Sequence, residues 1–169
     1  EISFKLICDY LKIPCIVIYG AAMDSTGKTE AHAWNLIRYN KSTYHIDVTW
    51  DRHYKMEGGI PFYYCVSDDF IQQDHSWEKS KWPICNKKGK IESSIVTIAS
   101  PIELQQELTK VLSKKKNRTI LKFPKHFDTS EKISKQIEKS IISITEHKCS
   151  LFTISYNKKL NCTIVNFRY

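Results

Sequence analysis

Apolar positions recur along this chain with two different periods, and each change of period marks an element. In ISFKLICDYLK, residues 2–12, Phe4, Ile7, Cys8 and Leu11 fall at helical spacing. That spacing predicts a helix with these four on its buried face, ending near Lys12 ahead of Pro14. CIVIYG, residues 15–20, is a continuous apolar run that reads as a buried strand, and the polar AAMDSTGKTE with Gly27 reads as a loop. AHAWNLIRY and TYHIDVTW read as two further strands about Asn40 and Lys41. IPFYYCVS is another strand candidate, and SDDFIQQD has the Ser/Asp opening of a short helix. HSWEKSKWPICNKKGK, residues 75–90, has no clear period and is expected to be loop.

A second pattern starts near Ile95. IVTIA and TILKF read as strands, and between them SPIE, residues 100–103, combines an N-cap serine, a proline at the first helical position and a glutamate at the third. This is a capping box, and it opens a helix through about Ser113. A second cap, DTSE at 128–131, starts a helix in which Ile133, Ile137, Ile141 and Ile144 form one apolar face. CSLFTISY and LNCTIVNFRY then read as a hairpin around NKK. The expected class is α+β: residues 1–90 form a core of a helix packed on an antiparallel sheet, and residues 91–169 form a small βαβαββ module behind it.

Size and charge narrow the function. A chain of 169 residues, 41% hydrophobic, can bury one core of ordinary size or two small ones. No apolar run approaches the roughly 20 residues of a membrane-spanning helix, and EISFKLICDYLK lacks the basic-then-apolar order of a signal peptide. The net charge of +8 comes entirely from the second half: residues 1–92 hold 12 Lys/Arg and 12 Asp/Glu, residues 93–169 hold 14 and 6. Arginine, the commoner reader of bases, occurs only four times, so no nucleic-acid partner is expected. The lysines read as a solvated face or as a contact surface for an anionic polymer or membrane face. The six cysteines contain no CxxC pair and lack metal-ligand spacing; they read as reduced, mostly buried thiols, with a disulfide between two of them as the open alternative.

The candidate chemistry lies in AHAWNLIRYNKSTYHIDVTWD, residues 31–51. Strand side chains alternate faces, so His32, Trp34 and Leu36 share one face, as do His45, Asp47 and Thr49 on the next strand. A two-residue turn at Asn40 and Lys41 sets Trp34 opposite Asp47 and His32 opposite Thr49. His32 and Asp47 are then diagonal neighbours, about 7 Å apart at the backbone and within side-chain reach. An odd-length turn without a bulge would send Asp47 to the other face. An aspartate on one imidazole nitrogen fixes tautomer and orientation, leaving the other nitrogen to exchange a proton with a serine or cysteine. Two other readings stay open on spacing alone: a polar cross-strand pair in an ordinary sheet, and a metal centre built from His32, His45 and Asp47.

HAWN followed by YHIDVTWD resembles the transglutaminase-like superfamily, papain-related folds in which a Cys/His/Asp triad performs acyl transfer or amide hydrolysis. The pattern H-x-W-N falls on His32, and V-D-x-T-W-D falls on Asp47. LKIPCIVIYG is similar to the family's G-I-P-C-x-x-V-x-G segment, with Lys12 where glycine is usual. FYYCVSDDFIQQDHSWEKSKWPIC resembles the block that follows the aspartate in bacterial members. The likeness covers residues 1 to about 86 as four blocks in the family's order. It implies that His32 is the base and Asp47 its orienter, with Trp34, Asn35 and Trp50 in support and His45 a half-exposed strand residue. Asn35, on the opposite face from His32, would satisfy backbone groups, and Asp51 would cap the turn after Trp50. A peptide or protein amide is the implied substrate, with no cofactor and no metal.

In that family the nucleophilic cysteine sits at the N-terminus of the helix before the I-P-C strand, where the helix dipole and an imidazolium lower its pKa. Phe4 fits the aromatic that follows it, which places the cysteine about three residues before Glu1. Cys8 is two turns too late, and Cys15 occupies the family's structural cysteine position. The chain thus reads as opening in mid-helix, N-terminally incomplete, and Glu1–Tyr169 alone is expected to be inactive. The alternative is a non-catalytic binding or scaffold module of the same fold with a basic C-terminal interaction surface. Cell surface, secretion and cytoplasm are all compatible with the visible residues.

Overall fold

Helix α1, Ile2–Tyr10, opens the chain in a computed structural model that describes residues 1–56, 59–124, 130–144, 150–157 and 160–169. A lone helix lying on a sheet buries only the line that faces it, here the single i,i+4 step from the half-buried Phe4 to the buried Cys8. Ile7 and Leu11, expected on that face, are each 57% exposed: Ile7 lies off the line and Leu11 is already past the last helical turn. The end of α1 is a double-bonded cap, with Ile13 N–H donating to the Cys8 carbonyl at 2.8 Å and Lys12 N–H to Asp9 at 3.0 Å. Such a cap requires a left-handed residue. Lys12 supplies it at φ 57°, against the steric preference of a residue with a Cβ.

Strands β1, Cys15–Met23, and β2, Thr29–Tyr39, pair antiparallel from Cys15↔Ile37 to Met23↔Thr29. The expected loop over 21–30 therefore shrinks to the turn at 24–28, where the Asp24 carboxylate accepts the Thr26 and Lys28 amides at 2.8 and 3.0 Å. Ala21 and Ala22 carry no strong strand signal, yet the ladder recruits them. Asn40 and Lys41, at φ 47° and 64°, form a two-residue turn with Tyr39 opposite Ser42. Strand β3 is only Ser42–Ile46, because Asp47 caps a helix, α2, Val48–Met56. Val48, Thr49 and Trp50 were strand-like by residue type, and the cap overrides that preference.

Strand β4, Tyr64–Val66, pairs with β3, and helix α3, Asp68–Ile71, starts at Ser67, whose hydroxyl accepts the Phe70 amide. Glu92 is buried beneath that cap and accepts from both the Ser67 amide and hydroxyl. His75 and Ser76, expected in a loop, form strand β5 against β1, with Ala22↔His75. The result is a five-stranded antiparallel sheet in the order β4-β3-β2-β1-β5 within the unit Glu1–Ser93.

The second unit, Ser94–Tyr169, runs β6, Ile95–Thr97; α4, Pro101–Ser113; β7, Arg118–Lys122; α5, Ser130–Ile144; β8, Leu151–Asn157; and β9, Cys162–Arg168. Its sheet order is β6-β7-β9-β8, with β6 and β7 parallel across the α4 crossover. Ser100 Oγ accepts the Glu103 amide at 3.2 Å, and the Glu103 carboxylate reaches back to the Ala99 amide at 2.8 Å. Ile133, Ile137 and Ile141 of α5 are buried with Leu104, Leu108 and Leu121 in one core, and Ile144 is half-buried against it. The cap expected at 128–131 and the turn residues 158–159 lie outside the described residues or at their edge.

Two stability changes follow. Lys12→Gly relieves the left-handed strain and is expected to raise unfolding stability by about 1 kcal/mol, read from a urea midpoint. Ile137→Ala opens a cavity in the second core and is expected to cost about 2–5 kcal/mol by the same measurement.

Candidate functional site

The site is built around Asp47, which is fully buried. Its Oδ1 accepts the backbone amides of Thr49 and Trp50, both at 3.0 Å, so one carboxylate oxygen is consumed as the N-cap of α2. Its Oδ2 faces two imidazoles: His32 Nε2 at 2.6 Å and His75 Nε2 at 3.1 Å. Burial alone would raise the Asp47 pKa, but the His32 and His75 hydrogen bonds and the Trp50 amide outweigh it and hold the carboxyl near 2. Asp47 is therefore a fixed anion at neutral pH.

His32 and Asp47 meet across the even-length turn that the pairing required, although not as two strand residues. The β2–β3 ladder ends at Asn35↔Ile46, and Asp47 swings into the helix cap with its second oxygen left toward His32. With Nε2–H on Asp47, the His32 ring has Nδ1 as its remaining nitrogen. The side chain is 16% exposed and lines a cleft of about 340 Å³ with Glu1, Tyr19, Gly20 and Thr49. Glu1 precedes the first turn of α1 and its side chain accepts from the Thr49 hydroxyl. The N-terminal end of α1 thus borders the cleft that His32 faces.

His75 is the member of this cluster that pattern reading missed. Its strand is two residues long, too short to show a period, and the only available signal was the Asp74–His75 adjacency. In the register, His32 pairs with Gly20 and His75 with Ala22, so the two histidines flank a stripe of β1 that carries almost no side chain. Their rings close over it to a centroid distance of 5.5 Å. His75 is buried, with Nδ1 on Asp74 Oδ1 at 2.6 Å, and the other Asp74 oxygen accepts the Tyr63 hydroxyl. Burial lowers the His75 pKa most strongly of any single cause, but its contacts with Asp47 and Asp74 together raise it above the ordinary value.

The supporting residues divide. Trp34 is fully buried, stacks on His32 at 6.1 Å between ring centroids, and donates Nε1–H to His45 Nδ1 at 2.9 Å. Trp50 packs on both His32 and His75, at 5.3 and 4.4 Å. Asn35 points away from His32, its amide donating to the carbonyls of Glu1 and Ile16. Asp51 is buried and accepts the Tyr63 amide; burial raises its pKa to about 7.

His45 is not the half-exposed strand residue expected; it is 1% exposed and bonds Asp68 Oδ1 at 2.7 Å. Nor does it join His32 and Asp47. Among the described residues the groups close enough to share an ion are His32 with Asp47 and His75, and His45 with Asp68 and Cys85. Burial depresses the His45 pKa to about 4.

The described thiols sit elsewhere. Cys8, Cys15, Cys85 and Cys162 are buried and Cys65 is half-buried. Burial raises Cys15 and Cys85 to about 12 and Cys65 and Cys162 to about 11. A thiol in this state is a poor nucleophile.

A Cβ on Gly20 would overlap the Ser76 carbonyl oxygen and come within 2.8 Å of the Trp34 ring. Gly20→Ala is therefore expected to destabilise the first unit by about 1–3 kcal/mol and to shift the His32 and His75 ring resonances in NMR spectra. His45 gives a pH signature. Its folded pKa of about 4 lies below the ordinary 6.5, so between those values the unfolded chain takes up a proton that the folded chain refuses. Stability should fall as pH drops through that window, by up to about 3 kcal/mol. In His45→Gln that contribution is gone, so the wild-type advantage over the variant should shrink steadily between pH 7 and pH 4 in urea titrations. Compared with models of known protein families and with curated protein sequences, the chain matches none, and what the site does rests on its geometry.

Proposed function

We propose that this chain carries the base and orienter of a thiol acyl-transfer or amide-hydrolysis centre, with a transglutaminase-like, papain-related core in its first unit. The observation that carries the proposal is the His32 Nε2 to Asp47 Oδ2 bond at 2.6 Å, at a cleft bordered by Glu1 at the start of α1. A buried anion on Nε2 keeps that nitrogen protonated and turns Nδ1 toward the cleft as the proton-exchanging atom. In the proposed cycle a thiolate adds to the carbonyl of a peptide or protein amide. The C–S bond forms, the C–N bond breaks, and the amine leaves with the proton that imidazolium His32 donates. Neutral His32 then deprotonates an amine or a water molecule, which displaces the thiol and regenerates the imidazolium–thiolate pair.

The thiol belongs on the N-terminal side of Glu1. The described cysteines have raised pKa values or core positions, whereas a residue about one helical turn before Ile2 would stand at the helix end that borders the cleft, where a thiolate is stabilised. Trp34 and Trp50 wall the His32 ring and keep water from Asp47, and Asn35 ties the start of α1 to β2.

With a cysteine placed three residues before Glu1, iodoacetamide alkylation is expected to titrate at least one pH unit below the ordinary thiol value of about 8.5, and His32→Gln should return it there. An unshifted thiol would overturn the proposal. Glu1–Tyr169 itself, given a glutamine-donor peptide with an amine or water, is expected to show no turnover; turnover by that chain would assign the nucleophile to Cys8 or Cys15.

A further inference from the structure

We infer that His32 Nε2, Asp47 Oδ2 and His75 Nε2 form a binding site for a divalent transition metal of the zinc type, with an open coordination position toward the cleft. The inference concerns metal binding and stands apart from the acyl chemistry proposed above.

Two imidazoles and one carboxylate are a ligand set suited to zinc, and catalytic or exchangeable sites use three protein ligands with a fourth position open. The three donor atoms lie together here: both Nε2 atoms approach the same Asp47 oxygen, at 2.6 and 3.1 Å. Zinc to ligand distances are about 2.0–2.2 Å, so the donors need to part by only a fraction of an ångström to admit the ion. His32, the one ligand with exposed surface, has room to give on the cleft side.

The groups behind the ligands are already set for a metal. A ligating histidine ordinarily donates its other N–H to a carboxylate or carbonyl, which fixes the lone pair on the ligating nitrogen. Asp74 is bonded at both oxygens, to His75 Nδ1 and to the Tyr63 hydroxyl, which favours the proton on Nδ1 and leaves Nε2 to face Asp47. A neutral His75 would then turn a lone pair toward a carboxylate oxygen, two acceptors facing each other at 3.1 Å. A divalent ion between the two atoms would accept a lone pair from each. Asp47 is held likewise: its Oδ1 is occupied by the Thr49 and Trp50 amides, which aims Oδ2 at the histidines. His32 ligates through Nε2 once its single proton resides on Nδ1, facing the cleft.

The second cluster, His45 with Asp68 and Cys85, lacks this arrangement. The Trp34 indole can only donate, so His45 Nδ1 is an acceptor, and the neutral ring carries its proton on Nε2, where it bonds Asp68. That nitrogen has no lone pair to offer a metal.

Metal occupancy has a chemical consequence. It removes Asp47 from His32 and consumes the Nε2 lone pair, so the His32–Asp47 pair and the metal are alternative states of one site.

The test is titration of Glu1–Tyr169 with ZnCl2 by calorimetry, and with CoCl2 by visible absorption. One equivalent is expected to bind tighter than millimolar. Co²⁺ should show four- or five-coordinate d–d bands and no thiolate charge-transfer band. His32→Gln and Asp47→Asn are each expected to weaken Zn²⁺ binding at least tenfold, and Asp74→Asn, which touches no metal, by about 10–100-fold. His45→Gln should leave the affinity unchanged. Circular dichroism separates lost binding from lost fold, and His32→Gln, with its partly exposed side chain, serves if buried variants unfold. Binding no tighter than millimolar, full affinity in folded His32→Gln, or a thiolate charge-transfer band would each overturn the site. A failed titration would leave the thiol-alkylation result of the acyl-transfer proposal untouched.

Discussion

Much of the first unit depends on one carboxylate with two occupied oxygens. Asp47 accepts two amides of α2 through Oδ1 and faces two histidines through Oδ2. An anion buried this completely is tolerated only when every lone pair is matched. The helix cap and the imidazoles are therefore mutual requirements: the cap turns the chain out of β3, and the turn presents Oδ2 to His32 and His75. Local structure and candidate chemistry share one group, so neither can change without the other.

The sheet supplies the space this arrangement needs. His32 and His75 stand on strands that flank β1, and they converge because β1 offers Gly20 and Ala22 between them. Larger residues there would hold the rings apart. Trp34 then packs over Gly20 and reaches His45 with its indole N–H, which links the site to the Asp68 and Cys85 side of the unit through directed hydrogen bonds. Aromatic rings fill the remaining volume around three histidines, and the low polarity of that shell strengthens each charge-assisted hydrogen bond inside it.

Tautomers distinguish the two histidine clusters, which look alike as composition. His45 receives a proton donor on Nδ1 and is a neutral, structural ring. His75 has a carboxylate at each ring nitrogen, Asp74 at Nδ1 and Asp47 at Nε2. A donor-only indole against one ring and a carboxylate against the other decide which cluster can take up positive charge. Distances alone would rank the two clusters together.

Sequence by itself determined the elements that local chemistry dictates. Helix α4 follows from Ser100, Pro101 and Glu103, the α5 core face from isoleucines four apart, and the α+β class from the alternation of periods. The even turn at Asn40 and Lys41 was legible because strand alternation is a fixed geometric rule, whereas Asp47 reaches His32 from the helix cap beyond the end of β3. Tertiary structure decided what short-range signals do not carry. Asp47 became a helix cap because a carboxylate at a strand end can satisfy free amides, a demand that outweighs the strand preference of Val48 and Thr49. His75 entered the site through a two-residue strand paired with the edge of β1. The burial of His45 came from Trp34 and Trp77 packing around it. The placements of His75 and His45 depend on partners more than ten residues away in the chain, and periodicity records only what a residue's near neighbours require.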